Sequence, residues 1–318
     1  MRKFFRKVLP ELFVACAIVL GIWKVGELWR DRSEAVTSAE YDVQVHFLDV
    51  GQGMATLVAA DGRYMLVDGG GWETAPELLD YLGMVGVDRL EYLVISHYDA
   101  DHLYGAVRVL ETCEVGQVLC PDYAAESDTY RRFASVIEEL EMKREDFGTS
   151  EAVGDKTAAQ GHIVSHPAAG EIFPLGNCSF TVVSPARLDY PEENNRSLGI
   201  RLVCGDISFL MMGDAELESE YDVCDSGLEL KSTVYLVNHH GSSSSTSQQL
   251  LKYVRPEYAV ISCGENNDYG HPAESVLQRL EEFGVEVFRT DRQGTLVVHT
   301  DGRELEWSIG AGRRQATE

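Results

Sequence analysis

The chain has 318 residues, of which 44% are hydrophobic, 25% charged and 9% aromatic. That balance supports a sizeable core and excludes a disordered chain, a collagen-like fibre and a multi-span membrane protein. With 27 Lys plus Arg against 52 Asp plus Glu the net charge is −25, which disfavours a basic-patch nucleic-acid binder unless bound cations reverse the field locally.

Charge is unevenly placed along the chain. Residues 1–40 hold seven basic and five acidic groups, while the remainder holds 20 basic and 47 acidic. Arg2, Lys3, Arg6 and Lys7 precede an apolar run from Leu12 to Trp23, which lengthens to 19 residues between Val8 and Gly26 when Glu11 and Lys24 snorkel to the interfaces. This order reads as an uncleaved single-pass anchor in the cell membrane, with the basic flank cytoplasmic and the following domain outside. A cleaved signal peptide, and hence a secreted domain, is the runner-up. Residues 27–40 read as a linker, 41–310 as one globular domain and 311–318 as a disordered tail.

Within the domain, Val43 to Leu48 is a strand running into Asp49-Val50-Gly51-Gln52-Gly53. A second strand, Tyr64 to Val67, ends at Asp68-Gly69-Gly70-Gly71. Residues 74–84 have helical spacing, and Leu90 to Ile95 is a buried strand ending at Ser96-His97. A helix is expected from Thr129 to Met142. Strands follow at Phe180–Val183, Leu198–Val203, Ser208–Met212, Thr233–Val237, Tyr258–Ile261 and Thr295–His299, with helices at Ser247–Val254 and Ala273–Phe283. Strands ending in polar loops and alternating with helices indicate a layered α/β domain with its site at the strand ends. The seven cysteines include no CxxC pair, and buried reduced thiols are their simplest reading.

The densest chemical signal is His97-Tyr98-Asp99-Ala100-Asp101-His102. Four candidate ligands fall within six residues directly after a strand, and an extended or tightly turned loop can converge positions 97, 99 and 101. Imidazole with carboxylate suits zinc, manganese or iron. Three further clusters also lie where strands meet loops: Gly213-Asp214-Ala215-Glu216, Asn238-His239-His240-Gly241-Ser242 and Tyr269-Gly270-His271-Pro272. Taken alone, Asp214 reads as a helix cap and His271 as a surface histidine.

The order HxDxDH, GD, HHGS, with Phe47 to Gly53, Asp68-Gly69-Gly70, Asn194-Asn195-Arg196-Ser197-Leu198 and the Tyr269 to Pro272 segment, resembles the metallo-β-lactamase superfamily, and within it the ComEC-type competence hydrolase domain. The resemblance runs unbroken over roughly 43–300. It implies an αββα sandwich, two mixed β-sheets flanked by helices, with two divalent ions, Zn or Mn, at one edge. It further implies that His97 and Asp99 serve one ion, Asp101 and His102 the other, that Asp214 bridges them, and that His240 completes the second site while His239 contacts substrate. Asp99 stands where the wider superfamily has His, and the usual third-motif histidine is missing near Asn194-Asn195. An oxygen-richer site of that kind favours Mn relative to a three-histidine zinc site.

Such a site hydrolyses a phosphodiester by lowering the pKa of bound water and clamping attacking and leaving oxygens. Asp101, His239 and His271 are the expected catalytic residues. Asn194, Asn195 and Ser242 are expected to contact substrate oxygens, and Asp49 and Asp68 to orient ligand histidines, although Asp before Gly also reads as turn chemistry. The expected partner is a phosphodiester, DNA or a smaller nucleotide; no protein partner is inferable. A β-lactamase-type acyl or amide hydrolase and a non-catalytic metal-binding domain are the competing readings.

Overall fold

The β-branched and aromatic runs of this sequence pair into two sheets. The computed structural model describes residues 43–147 and 162–310, and the expected anchor at 8–26 and tail at 311–318 lie outside them. No helix among the described residues is long and apolar enough to cross a membrane.

The first sheet contains β1 (Val43–Phe47), β2 (Thr56–Ala60), β3 (Arg63–Val67), β4 (Arg89–Val94), β5 (Glu114–Leu119), β6 (Val164–Ser165), β14 (Leu296–Thr300) and β15 (Leu305–Ile309), in the order β15-β14-β1-β2-β3-β4-β5-β6. The second contains β7 (Ile172–Leu175), β8 (Cys178–Ser184), β9 (Gly199–Cys204), β10 (Ile207–Met211), β11 (Val234–Leu236), β12 (Tyr258–Ile261) and β13 (Glu286–Arg289), in the order β13-β12-β11-β10-β9-β8-β7. Both are mixed: the pairings from β3 to β6 and from β10 to β13 are parallel and the others antiparallel.

Alternation along each strand decides the layers. Val43, Val45 and Phe47 of β1 and Tyr92 and Val94 of β4 meet Phe180, Ile200, Leu202 and Phe209 of the second sheet in the central core. The opposite faces are covered by helices. Leu66, Leu93 and Ile95 pack under α1 (Ala75–Val85), α2 (Ala100–Thr112) and α3 (Asp128–Phe147). Leu210, Tyr235 and Ile261 pack under α4 (Leu217–Asp225), α5 (Gln248–Val254) and α6 (Glu274–Glu282). The short α7 (Thr290–Gln293) leads into β14. The layer order is therefore αββα, as expected.

Two local expectations are corrected. The segment after His97 is not a continuing loop, because α2 starts at Ala100, so Asp101 and His102 ride its first turn. Reduced cysteines are not the rule either. Ser179 pairs with Val203 in the β8–β9 register, which brings Cys178 beside Cys204, and the two form a disulfide with Cα atoms 4.6 Å apart. Cys113, Cys120, Cys224 and Cys263 are free.

Candidate metal centre

The candidate site is built where β3, β4, β10 and β11 end. Leaving β3, Asp68 has a left-handed backbone (φ 57°). Its carboxylate accepts from the Ser96 amide at 2.8 Å and the Ser96 hydroxyl at 2.7 Å, tying the ends of β3 and β4 together. Glycine is required beside it. A Cβ on Gly105 would lie 1.8 Å from the Gly69 carbonyl oxygen, so only glycine lets the second turn of α2 dock on this loop.

The three buried imidazoles of this site each spend Nδ1 on a neighbour. His102 Nδ1 pairs with Asp68 Oδ2 at 2.8 Å, and His240 Nδ1 with the Ser262 carbonyl at 2.9 Å. His97 Nδ1 lies 3.0 Å from Ser96 Oγ, whose own proton goes to Asp68. A carboxylate, a carbonyl and a committed hydroxyl accept only, so each Nδ1 carries the hydrogen and each Nε2 offers a lone pair.

Those lone pairs converge. His102 Nε2 lies 3.4 Å from His240 Nε2 and 3.2 Å from Asp214 Oδ1. His240 Nε2 lies 3.3 Å from Asp101 Oδ2 and 3.5 Å from Asp214 Oδ2. His97 Nε2 is 3.7 Å from Asp99 Oδ2 and 4.0 Å from Asp214 Oδ2, is buried, and has no hydrogen-bond partner. Two ligand groups emerge, His97 with His102 and Asp214, and Asp101 with His102 and His240. Acceptors facing acceptors in a buried pocket repel, and a cation between them reverses the sign. The donor set fits borderline divalent ions that take imidazole and carboxylate together.

Electrostatics agree. Burial would raise the Asp214 carboxyl, but His102 and His240 outweigh it and hold its pKa well below the usual range. Asp101 is held down in the same way, against burial, by His102 and His240. Burial disfavours a charged His102, yet Asp214, Asp68 and Asp101 push its pKa well above the ordinary value. The cluster therefore calls for positive charge, whether supplied by protons on the rings or by a divalent ion that displaces them.

The two adjacent histidines are separated by geometry. Both sit in the left-handed region, with φ 50° at His239 and 54° at His240, a conformation that costs on the order of 1 kcal/mol or more for a non-glycine residue. His240 turns into the acceptor cluster. His239 stays at its rim, with Nε2 3.7 Å from Asp214 Oδ2 and Nδ1 3.2 Å from Glu216 Oε1. His271 lies beside both, its ring 5.6 Å from that of His239 and 6.2 Å from that of His240. Burial, then His240 and His239, lower its pKa to about 4, which favours the neutral ring at neutral pH.

The remaining expected residues divide. Asp68 Oδ2 lies 2.8 Å from His102 Nδ1. Asp49 is exposed, its amide donates to Thr295 Oγ1 at 3.0 Å, and its carboxylate stands 3.5 Å from the Gly51 amide, which is the turn arrangement. Asn195 is buried, and its Oδ1 accepts from the Glu216 and Ser219 amides at 3.0 and 3.2 Å, so that oxygen caps α4 instead of facing a substrate. Asn194 is half-buried in the same turn, where its carbonyl accepts from the Ser197 amide. Ser242 Oγ lies 3.0 Å from Ser244 Oγ, near the His239 edge. Ser96, Glu216 and the Ser262 carbonyl receive no role from the sequence, although the first two stand within its motif clusters. Ser96 and Glu216 did carry a signal, since each lies within two residues of a named ligand, whereas Ser262 had none.

The sequence pattern of the Metallo-beta-lactamase superfamily matches residues 48–265. The chain is 28% identical to ComE operon protein 3 of Bacillus subtilis (strain 168), over 84% of its own length and 34% of that protein. It is 30% identical to Competence protein ComA of Neisseria gonorrhoeae (83% and 33% covered) and 31% identical to Recombination protein 2 of Haemophilus influenzae (83% and 29% covered). These are ComEC-type competence proteins, and the chain spans about a third of their length. Among solved structures, a metallo hydrolase of the archaeon Ignicoccus hospitalis superposes with a TM-score of 0.51 at 17% identity, covering 80% of this chain and 98% of that one. CmlA β-hydroxylase (E377D mutant) also reaches 0.51, at 13% identity over 81% of this chain and 54% of its own. These likenesses show the fold, which by itself leaves the reaction open.

Proposed function

The chain belongs to the metallo-β-lactamase superfamily, a metallo-hydrolase fold family, and from that premise we propose that it hydrolyses phosphodiester bonds at a binuclear Zn or Mn site. The observation that carries this reading is the convergence of three Nε2 lone pairs with Asp101 and Asp214 into two ligand groups joined at His102 and flanked by Asp214. His97, Asp99 and Asp214 would hold one ion; Asp101, His102, His240 and Asp214 would hold the other. When bound, such ions lower the pKa of coordinated water and neutralise charge on phosphoryl oxygens. Asp68, Ser96 and the Ser262 carbonyl fix the ring orientations on which ligand placement depends. His239, steadied by Glu216, faces substrate at the rim, with neutral His271 beside it. The relatives' names, competence and recombination proteins, favour a phosphodiester over a lactam, while the net charge of −25 favours a small diester or a short single strand over duplex DNA.

The test is metal analysis joined to turnover of bis-p-nitrophenyl phosphate, linear DNA and a lactam. Stoichiometric Zn or Mn is expected, with diester hydrolysis lost on chelation and restored by metal, and with metal affinity falling as pH falls because the ligand rings then bind protons. Turnover of the lactam alone, or no metal after reloading, would overturn the reading.

We further propose that residues 8–26 anchor the chain and leave the hydrolase outside the cytoplasm. The Cys178–Cys204 disulfide supports this placement, since such bonds persist in oxidising compartments. Protease digestion of intact spheroplasts should remove the domain. Full protection, or full-length protein in the cytosolic fraction, would refute the topology.

A further inference from the structure

Next to the metal centre the rings of three residues stand in one column that leads from a ligand to solvent. His240 and His271 lie 6.2 Å apart with planes 21° from parallel, and His271 and Tyr269 lie 5.7 Å apart at 22°. Spacings and tilts of this kind are those of offset stacking. The outermost ring, Tyr269, is 72% exposed, so burial in the core does not account for it.

The loop that carries the column is held firmly. Asn267 Nδ2 donates to the Gly264 carbonyl at 2.9 Å and the His271 carbonyl at 2.7 Å, and its Oδ1 accepts from the His271 amide at 3.0 Å. Gly270 supplies the left-handed residue (φ 71°) that the tight turn requires. The phenol is thus presented on a pinned loop two ring layers from His240. His271 Nδ1 is itself buried and without a hydrogen-bond partner, which leaves one polar atom of the column without a role in holding the loop.

We propose that Tyr269 is the stacking platform of a subsite for a planar ring, a nucleobase carried by the substrate close to the phosphoester that reaches the metal centre. This rests on the phosphodiester reading given above. One further planar ring laid on the solvent face of Tyr269 extends the column outward. Stacking of this kind tolerates any base, because every base has a π-face, and it needs no basic groove. It therefore gives a protein of net charge −25 a way to hold a nucleotide without tracking a polyanionic backbone.

The test is direct binding to the metal-loaded full chain, by calorimetry, of adenosine 5′-monophosphate, ribose 5-phosphate and phosphocholine. The nucleotide should bind about ten- to hundredfold more tightly than ribose 5-phosphate, the range expected for one stacked base. The gap should persist in Tyr269→Phe and shrink to about twofold or less in Tyr269→Leu, since it is the aromatic face that holds the base. No gap in the wild type, a gap that survives Tyr269→Leu, or phosphocholine binding more tightly than the nucleotide would each overturn the proposal. Failure to hydrolyse bis-p-nitrophenyl phosphate counts against the phosphodiester reading alone, because the ring subsite is read from binding without turnover.

Discussion

Asp214→Asn should abolish hydrolysis and loosen both ions together, with a fall in turnover on the order of 10³-fold or more. Its two oxygens lie within 4.0 Å of His97, His102 and His240, and no other carboxylate among the described residues reaches all three rings this closely. The amide is nearly isosteric, so the loss is of charge and of one acceptor, not of volume. It also puts an N–H into a cluster composed of lone pairs. Asp68→Asn is the informative comparison. It leaves every proposed ligand in place and weakens the acceptor that holds Nδ1–H on His102 together with the Ser96 amide and hydroxyl, so a smaller loss, about 10- to 100-fold in affinity or activity, is expected. Elemental analysis of both variants beside kcat and KM on one diester separates the two effects. Full activity with unchanged metal in Asp214→Asn would refute the bridging role.

Glu220→Ala should be the most damaging substitution outside the ligand set. Glu220 is fully buried, and its carboxylate accepts from the Thr246 amide, the Ser247 amide at 2.6 Å and Asn238 Nδ2 at 3.0 Å. Burial raises its pKa even though those bonds favour the ionised form. Alanine would leave these donors without the acceptor, at about 1–3 kcal/mol for each buried donor left unpaired, and a total near 4 kcal/mol is expected from urea unfolding. A second consequence separates position from mere stability. Asn238 opens the turn that holds His239 and His240 left-handed, so variants that remain folded should bind metal more weakly. Glu220→Gln, which keeps one carbonyl acceptor, should recover part of both losses. A Glu220→Ala protein with wild-type stability and metal affinity would show that this buried carboxylate is dispensable.

Much of this architecture is written locally in the chain. Runs such as Leu90 to Ile95 and Ser208 to Met212 are apolar, β-rich and short, and each ends abruptly in polar residues, so both the strands and the loops carrying the ligands are legible. Less legible are the edge strands. Ile172–Leu175 and Leu305–Ile309 are both half-solvated; the first is short and carries Pro174, and the second bears no continuous apolar run, so only pairing with β8 and β14 defines them. The helix at Ala100–Thr112 was also obscured. It opens on Asp, His and Tyr, and carries Gly105, which local propensity penalises and which the close approach to Gly69 demands.

Candidate ligands are legible in the sequence because metal chemistry restricts residue type, because His97, Asp99, Asp101 and His102 lie within six residues, and because their order resembles that of the superfamily. Their division of labour is implied by the resemblance and not by local pattern. His102 meets His240 across 138 residues, and Asp68 meets His102 across 34, so which histidine faces inward, and which carboxylate fixes a ring and which a turn, is settled only when the strand ends are brought together. Asn195 shows the same limit, since a polar residue in a motif can serve a substrate or a helix end, and here its Oδ1 takes two amides of the segment after Asp214. Cys178 and Cys204 pair because β8 and β9 align them, not because of any spacing between them. Local pattern records which groups are available and where strands stop; hydrogen-bond direction and ring orientation depend on contacts between distant segments, and those exist only in the folded chain.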